Sequence, residues 1–191
     1  TLSLELQDRY SLIESLKIKG VTAKNDNDYW VESGSLSTVK WREYNVFQFH
    51  INGIYNLYKS ISDMTKEACE YYNIDFNKQK FMIQGWFNIN TNKTGKLDWH
   101  EHGDPGAPNF HGYYCVNAEP SITYYKINGD ENNIVNNINK NNRAILSEMG
   151  HPHSQADWEW EGKRITVAYD IVPLMSLPAI PEAEQHWIPL N

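Results

Sequence analysis

The sequence predicts a mainly β domain with supporting α structure, on two features of its texture and one of its size. Ile54, Leu57, Tyr58, Ile61, Met64, Ala68 and Tyr71 recur at steps of three and four, the spacing of an amphipathic helix over about 52–72. From Phe81 onward the chain breaks into short alternating segments separated by Gly, Pro and Asn clusters, which are strand and turn signals. The 191 residues suffice for one substantial core and leave no room for a second catalytic domain. Helix first and strands after is the order of α support packed on a β core, in a sandwich or jelly roll.

Taken in order, residues 1–80 read as an N-terminal support that carries this helix, with strand material at Tyr29-Trp30-Val31 and between Trp41 and Phe49. The core is expected over 81–172, with strands near 81–90, 96–102, 111–117, 121–127, 143–149 and 163–171. Between two of these, Asn128 to Asn142 is dense in Asn and contains Gly129-Asp130; it reads as a polar, mobile surface loop and a candidate lid. From Pro173 the tail carries Pro178, Pro181 and Pro189, so 173–191 is expected to be extended and docked on the surface or on a second subunit. Trp187 and Ile188 are its apolar means to a homodimer.

Charge narrows the partners. Lys and Arg number 17 against 24 Asp and Glu, and the net charge of −7 with no basic run argues against general nucleic-acid binding. No segment approaches the ~20 apolar residues of a membrane span, and the first residues lack a basic, apolar leader. Cys69 and Cys115 have no Cys-x-x-Cys neighbour and read as free thiols of a reducing, cytoplasmic compartment.

The metal-capable side chains concentrate in Trp99-His100-Glu101-His102-Gly103-Asp104. In an extended segment His100, His102 and Asp104 fall on one face, so two imidazoles and a carboxylate point the same way. That donor set suits a first-row metal such as Fe(II) better than Ca²⁺ or Mg²⁺, which prefer oxygen cages. Downstream, Gly150-His151-Pro152-His153 sets a third imidazole at the start of a segment, and Arg164 opens an apolar strand on which Thr166 and Ala168 share its face. A guanidinium turned inward requires a carboxylate, supplied either by a protein acid or by a dicarboxylate ligand held through two parallel hydrogen bonds. Gln84, Trp86 and Asn88 alternate onto one face of the strand before the histidines and are candidate pocket residues, with Tyr113 and Tyr125 behind them. His111 and His151 read as bystanders.

The segments Gly95-x-Leu97-x-x-His100-x-His102, His153 and Arg164-x-Thr166 resemble, in order and spacing, the Fe(II)/2-oxoglutarate-dependent oxygenases. The texture of Trp86-Phe-Asn88, Gly112-Tyr-Tyr114, Pro152-His153 and Arg164 to Ile171 is most similar to the prolyl-hydroxylase-like oxygenases of bacteria and phages, over Phe81 to Ile171. The resemblance implies a double-stranded β-helix of the jelly-roll, cupin-like kind and a dioxygenase hydroxylating a peptidyl or small-molecule substrate. It implies iron held by His102, His153 and either Asp104 or His100, with 2-oxoglutarate and O₂ as co-substrates. Arg164 would clamp the distal carboxylate of 2-oxoglutarate, aided by Thr166 and by Tyr114 or Asn88. The family's acidic ligand two residues after the first His is met only if His102 comes first, giving His102-Gly103-Asp104. Two other readings stand beside this one: a cupin-like metalloenzyme that binds its substrate directly to the metal, and a non-catalytic jelly-roll binding module.

Overall fold

The computed structural model describes residues 36–40, 44–94, 96–102, 109–148, 150–177 and 187–191. Among the described residues the α-helix is α1 (Ile54–Tyr71), which buries Ile54, Leu57, Ile61, Thr65 and Cys69, the stripe that the apolar spacing predicts. Among the described residues ten strands follow one another: β1 (Leu36–Ser37), β2 (Phe81–Asn90), β3 (Leu97–His100), β4 (Phe110–Asn117), β5 (Ile122–Lys126), β6 (Ile134–Ile138), β7 (Ala144–Glu148), β8 (His153–Gln155), β9 (Arg164–Pro173) and β10 (Ile188–Pro189).

They form two antiparallel sheets. The larger has the order β1-β2-β9-β4-β7, with β10 also on β2; the smaller runs β3-β8-β5-β6. At the centre of the larger sheet β9 pairs with β2 along its whole length, from Phe81 opposite Pro173 to Asn90 opposite Arg164, and with β4 on its other side. Alternation along these strands divides the sheet cleanly. Ile83, Phe87, Ile89, Tyr114, Val167, Tyr169 and Ile171 join the buried residues of α1 in the main core. Trp86 and Tyr113, both opposite Ala168, and Asn88, opposite Thr166, stand on the other face, which alternation shares with His111, Arg164 and Asp170.

Local chemistry fixes the edges. Where β2 runs between β1 and β10, the side chain of Asn45 donates to the Ile83 carbonyl and accepts from the Gly85 amide, and Thr38 Oγ1 accepts from the Phe87 amide. In β4 the ring of Tyr169 crosses Gly112 to donate its hydroxyl to the Ile145 carbonyl at 2.6 Å; a Cβ on Gly112 would stand 2.7 Å from that ring and run into that carbonyl.

Two expectations are corrected. Residues 128–142 are not a loop throughout: Asn128 and Gly129 turn the chain with positive φ, and β6 then pairs with β5 from Ile134 opposite Lys126 to Ile138 opposite Ile122. Asn139 is fully buried, Asn141 accepts from the Ala118 and Glu119 amides, and Asn142 accepts from the Tyr114 hydroxyl. Polar side chains with internal backbone and hydroxyl partners build this segment in rather than leaving it free to act as a lid. Val46–Gln48, within the stretch read as strand material, is a turn of 3₁₀ helix. The end of the tail is extended on the larger sheet: β10 pairs with Met82 and Ile83, Leu190 is buried, and Asn191 bonds to Phe76, Gln79 and Phe81. Tyr29-Trp30-Val31, Trp41, Pro178 and Pro181 lie outside the described residues, as do Gly95, Gly103 and Asp104. No helix among the described residues is long and apolar enough to cross a membrane.

Candidate metal centre and adjoining cavity

Strand pairing brings the separated histidines together. His100 closes β3 and faces His153 across the β3–β8 ladder, while His102 follows two residues later. Ring centroids are 4.3 Å apart for His100 and His153, 5.3 Å for His100 and His102, and 5.2 Å for His102 and His153. One nitrogen from each ring lies within 4.8 Å of those of the other two.

The hydrogen bonds behind the rings decide which nitrogen that is. His100 Nδ1 donates to the Asp98 carbonyl at 2.9 Å, His153 Nδ1 to the His151 carbonyl at 3.4 Å, and His102 Nδ1 to the Asp170 carboxylate at 2.9 and 3.1 Å. Each partner can only accept, so each Nδ1 carries the hydrogen and each Nε2 presents its lone pair. Three imidazoles tied back through Nδ1, one of them to a carboxylate, have the outer-shell arrangement of metal-ligating histidines.

Electrostatics keep the group receptive. Burial, then the neighbouring His100 and His102, push His153 down to about 3, so it is neutral near pH 7. Burial lowers His102 as well, but the hydrogen bond and charge of Asp170 outweigh it and leave the group raised. Imidazole Nε2 lone pairs fit a borderline first-row metal.

Beside this cluster lies a cavity of about 500 Å³, lined by His100, His102, His111 and His153 together with Trp86, Asn88, Thr123, Arg164 and Thr166. Among the described residues Arg164 is the one Lys, Arg, Asp or Glu on its wall. It is 3% exposed, and its Nε donates to Ser121 Oγ at 3.0 Å. Among the described residues no carboxylate forms an ion pair with it. Burial brings its guanidinium down to about 10, opposed by Cys115 and Tyr113, and it remains a cation at neutral pH. The sheet-end acid that would make it a structural residue is absent from its described surroundings.

A neutral hydrogen-bond network holds this Arg in place. Asn139 donates to Ser121 Oγ at 3.0 Å and to Thr123 Oγ1 at 3.2 Å, and accepts from the Tyr113 hydroxyl at 2.8 Å. The segment read as a surface loop therefore supplies the group behind Arg164.

Of the predicted site residues, His100, His102, His153, Arg164, Thr166 and Asn88 meet on one cavity, Asn88 accepting from Ser37 Oγ at 2.6 Å. Asp104 lies outside the described residues. Tyr114 is not on the cavity: opposite Val167 it stands on the helix side, its hydroxyl on Asn142, and Tyr113 takes the inward position. Which member of the aromatic pair faces inward depends on the β4–β9 register, and the pair alone does not reveal it. Gln84 is also absent from the cavity wall, whereas Trp86 stacks on His102 with centroids 6.0 Å apart.

Two residues were missed. Asp170 is legible in principle, because alternation from Arg164 through Thr166 and Ala168 puts it on the same face. His111, set aside as a bystander, is 3% exposed and lies against the cluster. His151 contributes its carbonyl, not its ring, which reaches Asn128 at 3.3 Å. Cys69 and Cys115 are free and buried, and burial raises each thiol to about 11.

No protein-family model matches the sequence, and no curated protein matches it. Solved structures do. AviO1 from Streptomyces viridochromogenes aligns with a TM-score of 0.60 at 11% identity, over 94% of this chain and 87% of that one. The non-haem monooxygenase ThoJ in its apo form gives 0.56 at 9% identity, over 90% and 69%. The non-haem α-ketoglutarate-dependent carbocyclase SnoK from nogalamycin biosynthesis gives 0.52 at 9% identity, over 86% and 72%. At these identities the likeness is one of fold: this chain shares a β-rich architecture with non-haem oxygenases and α-ketoglutarate-dependent enzymes.

Proposed function

We propose that this chain is a non-haem Fe(II), 2-oxoglutarate-dependent dioxygenase on a double-stranded β-helix, acting on a small-molecule or peptidyl substrate. The observation that carries the reading is Arg164, a buried guanidinium with no described acid partner, on the same cavity as three imidazoles whose Nε2 atoms are free. A buried cation without a carboxylate is costly, and a dicarboxylate ligand supplies what the protein withholds. The shared fold with α-ketoglutarate-dependent enzymes supports the same reading.

In this reading His100, His102 and His153 hold the iron, with Asp104 the alternative to His100 as third ligand. The tied Nδ1 of His100 favours the three-histidine set. Bound there, Fe(II) supplies the oxidative decarboxylation of the keto acid and the oxidation of a substrate C–H bond. The chain's own groups do the rest. Asp170 fixes the His102 ring, and Arg164 with Thr166 grips the distal carboxylate in two dimensions rather than as a point charge. Trp86 and Ala168 exclude water from the inner wall, which strengthens the Arg–carboxylate pair.

A cupin-like metalloenzyme that binds its substrate directly to the metal is the second reading, favoured by the absence of a carboxylate from the described ligand group. Anaerobic titration of the metal-free protein with Fe(II) and then 2-oxoglutarate separates the two. The expected outcome is the visible charge-transfer band of a chelated keto acid, lost in Arg164→Met. Iron binding without a band favours the second reading, and failure to bind iron at all leaves a non-catalytic module.

A further inference from the structure

His111 has no role in that reading, yet it is the most constrained histidine of the cluster. It lies opposite Asp170 in the β4–β9 register and lines the cavity. Its ring is nearly parallel to those of His102, 16° and 5.2 Å away, and His153, 18° and 4.5 Å away. Its Nε2 is buried and has no hydrogen-bond partner among the described residues. A buried ring nitrogen left unmet in this way calls for a ligand or an ordered water.

The ring planes decide what kind of ligand. The His111 ring lies face to face with that of His153, 4.5 Å away, so it would not converge with His153 on a metal that the latter's Nε2 would hold. His111 also falls outside the group whose nitrogens lie within 4.8 Å of one another. It would therefore stand beside a metal held by the other three, on the wall of the cavity that a co-substrate would enter. An imidazole in its neutral form offers one N–H.

We propose that His111 is a positioning residue that donates a hydrogen bond from Nε2 to an oxygen of the chelating carboxylate–keto head of the co-substrate. The proposal rests on the co-substrate reading above. It divides recognition in two: His111 holds the reactive head, and Arg164 holds the distal carboxylate.

Two probes on the Co(II)-loaded protein test it through the visible spectrum of the metal: 2-oxoglutarate, and oxalate, which has a chelating head and no distal arm. His111→Phe keeps a ring and loses the donor; His111→Gln restores an amide donor. In His111→Phe, Co(II) affinity is expected to stay within about twofold of wild type while both probes weaken about tenfold or more, as for a lost hydrogen bond to a charged group. His111→Gln should recover most of this, and Arg164→Met should weaken 2-oxoglutarate alone. Co(II) loss equal to that in His153→Ala would make His111 a ligand and overturn the proposal, as would unchanged oxalate binding. Wild-type protein that binds oxalate but gains nothing from the longer dicarboxylate refutes the co-substrate reading while still reading out His111; binding of neither probe refutes both. Should His111→Phe lose its circular-dichroism spectrum, His111→Met takes its place.

Discussion

The carboxylate of Asp170 on β9 accepts from Nδ1 of His102 at 2.9 Å, joining the central strand of the larger sheet to the end of the histidine segment. Asp170→Asn preserves the shape but removes the charge and frees the ring to turn. Metal affinity is expected to fall about 10–100-fold, as for the loss of an outer-shell carboxylate. Competition against a chelator of known affinity measures it, and wild-type affinity in the variant would show that Asp170 only packs.

Arg164→Met separates a structural arginine from a ligand-binding one. Removing a buried charge that has no acid partner should leave stability unchanged or raised, whereas breaking a buried ion pair costs about 3–5 kcal/mol. Urea unfolding of the ligand-free variant is the measurement. A loss of that size would reveal a protein acid partner and undercut the dicarboxylate reading.

The metal-free protein should weaken in mild acid. His153 has a folded value near 3 against an ordinary 6.5, so between these pH values the unfolded chain binds a proton that the folded chain refuses. Its contribution is complete above 6.5 and is lost progressively as the pH falls toward 3. His111, lowered mainly by burial, acts in the same direction, whereas the raised His102 contributes in the opposite sense, losing stability as the pH rises. His153→Gln should flatten the dependence of the urea midpoint on pH between 6.5 and 4; an identical slope in wild type and variant would contradict the assignment.

Asn139→Ala strips four neutral partners at once, because this side chain also accepts from Asn137. Destabilisation of about 2–3 kcal/mol is expected from the buried groups left unmet. Arg164 should lose its fixed Ser121 contact as well, weakening dicarboxylate binding without touching metal affinity. Equal losses of both affinities would mean that the whole sheet has shifted.

What could be read in advance followed from short-range rules. The helix was legible because Ile54, Leu57 and Ile61 repeat a helical face, and β2 and β9 because their alternation is long. The site residues of β9 were legible for the same reason, since Arg164 fixes the parity of Thr166. Strand β6 was not legible: Ile134, Val135 and Ile138 are all exposed and show no buried face, and only β5 beside them makes a strand of Asn-rich sequence. His111 needed the β4–β9 register, which sets it opposite a residue 59 positions away, whereas Asp170 shares the parity of Arg164 and only its bond to His102 had to await the fold. His153 shows both limits, its imidazole evident in the turn and its three-residue strand evident only from its ladder.

Strand β9 is gripped by neighbours on both sides and packs the core with every second residue, while the intervening ones carry Arg164, Thr166 and Asp170. The more exposed rim of the cavity is different: Ser37, Val39, Thr94 and Leu97 come from a two-residue edge strand, the 3₁₀ turn after it, the turn after β2 and the start of a short strand. Inheritance acts unequally on these two zones. A change on β9 endangers folding together with chemistry and is purged, whereas a change at the rim is cheap in stability and alters what may enter. Such a scaffold leaves its margin open to drift while folding itself guards the strand at its centre.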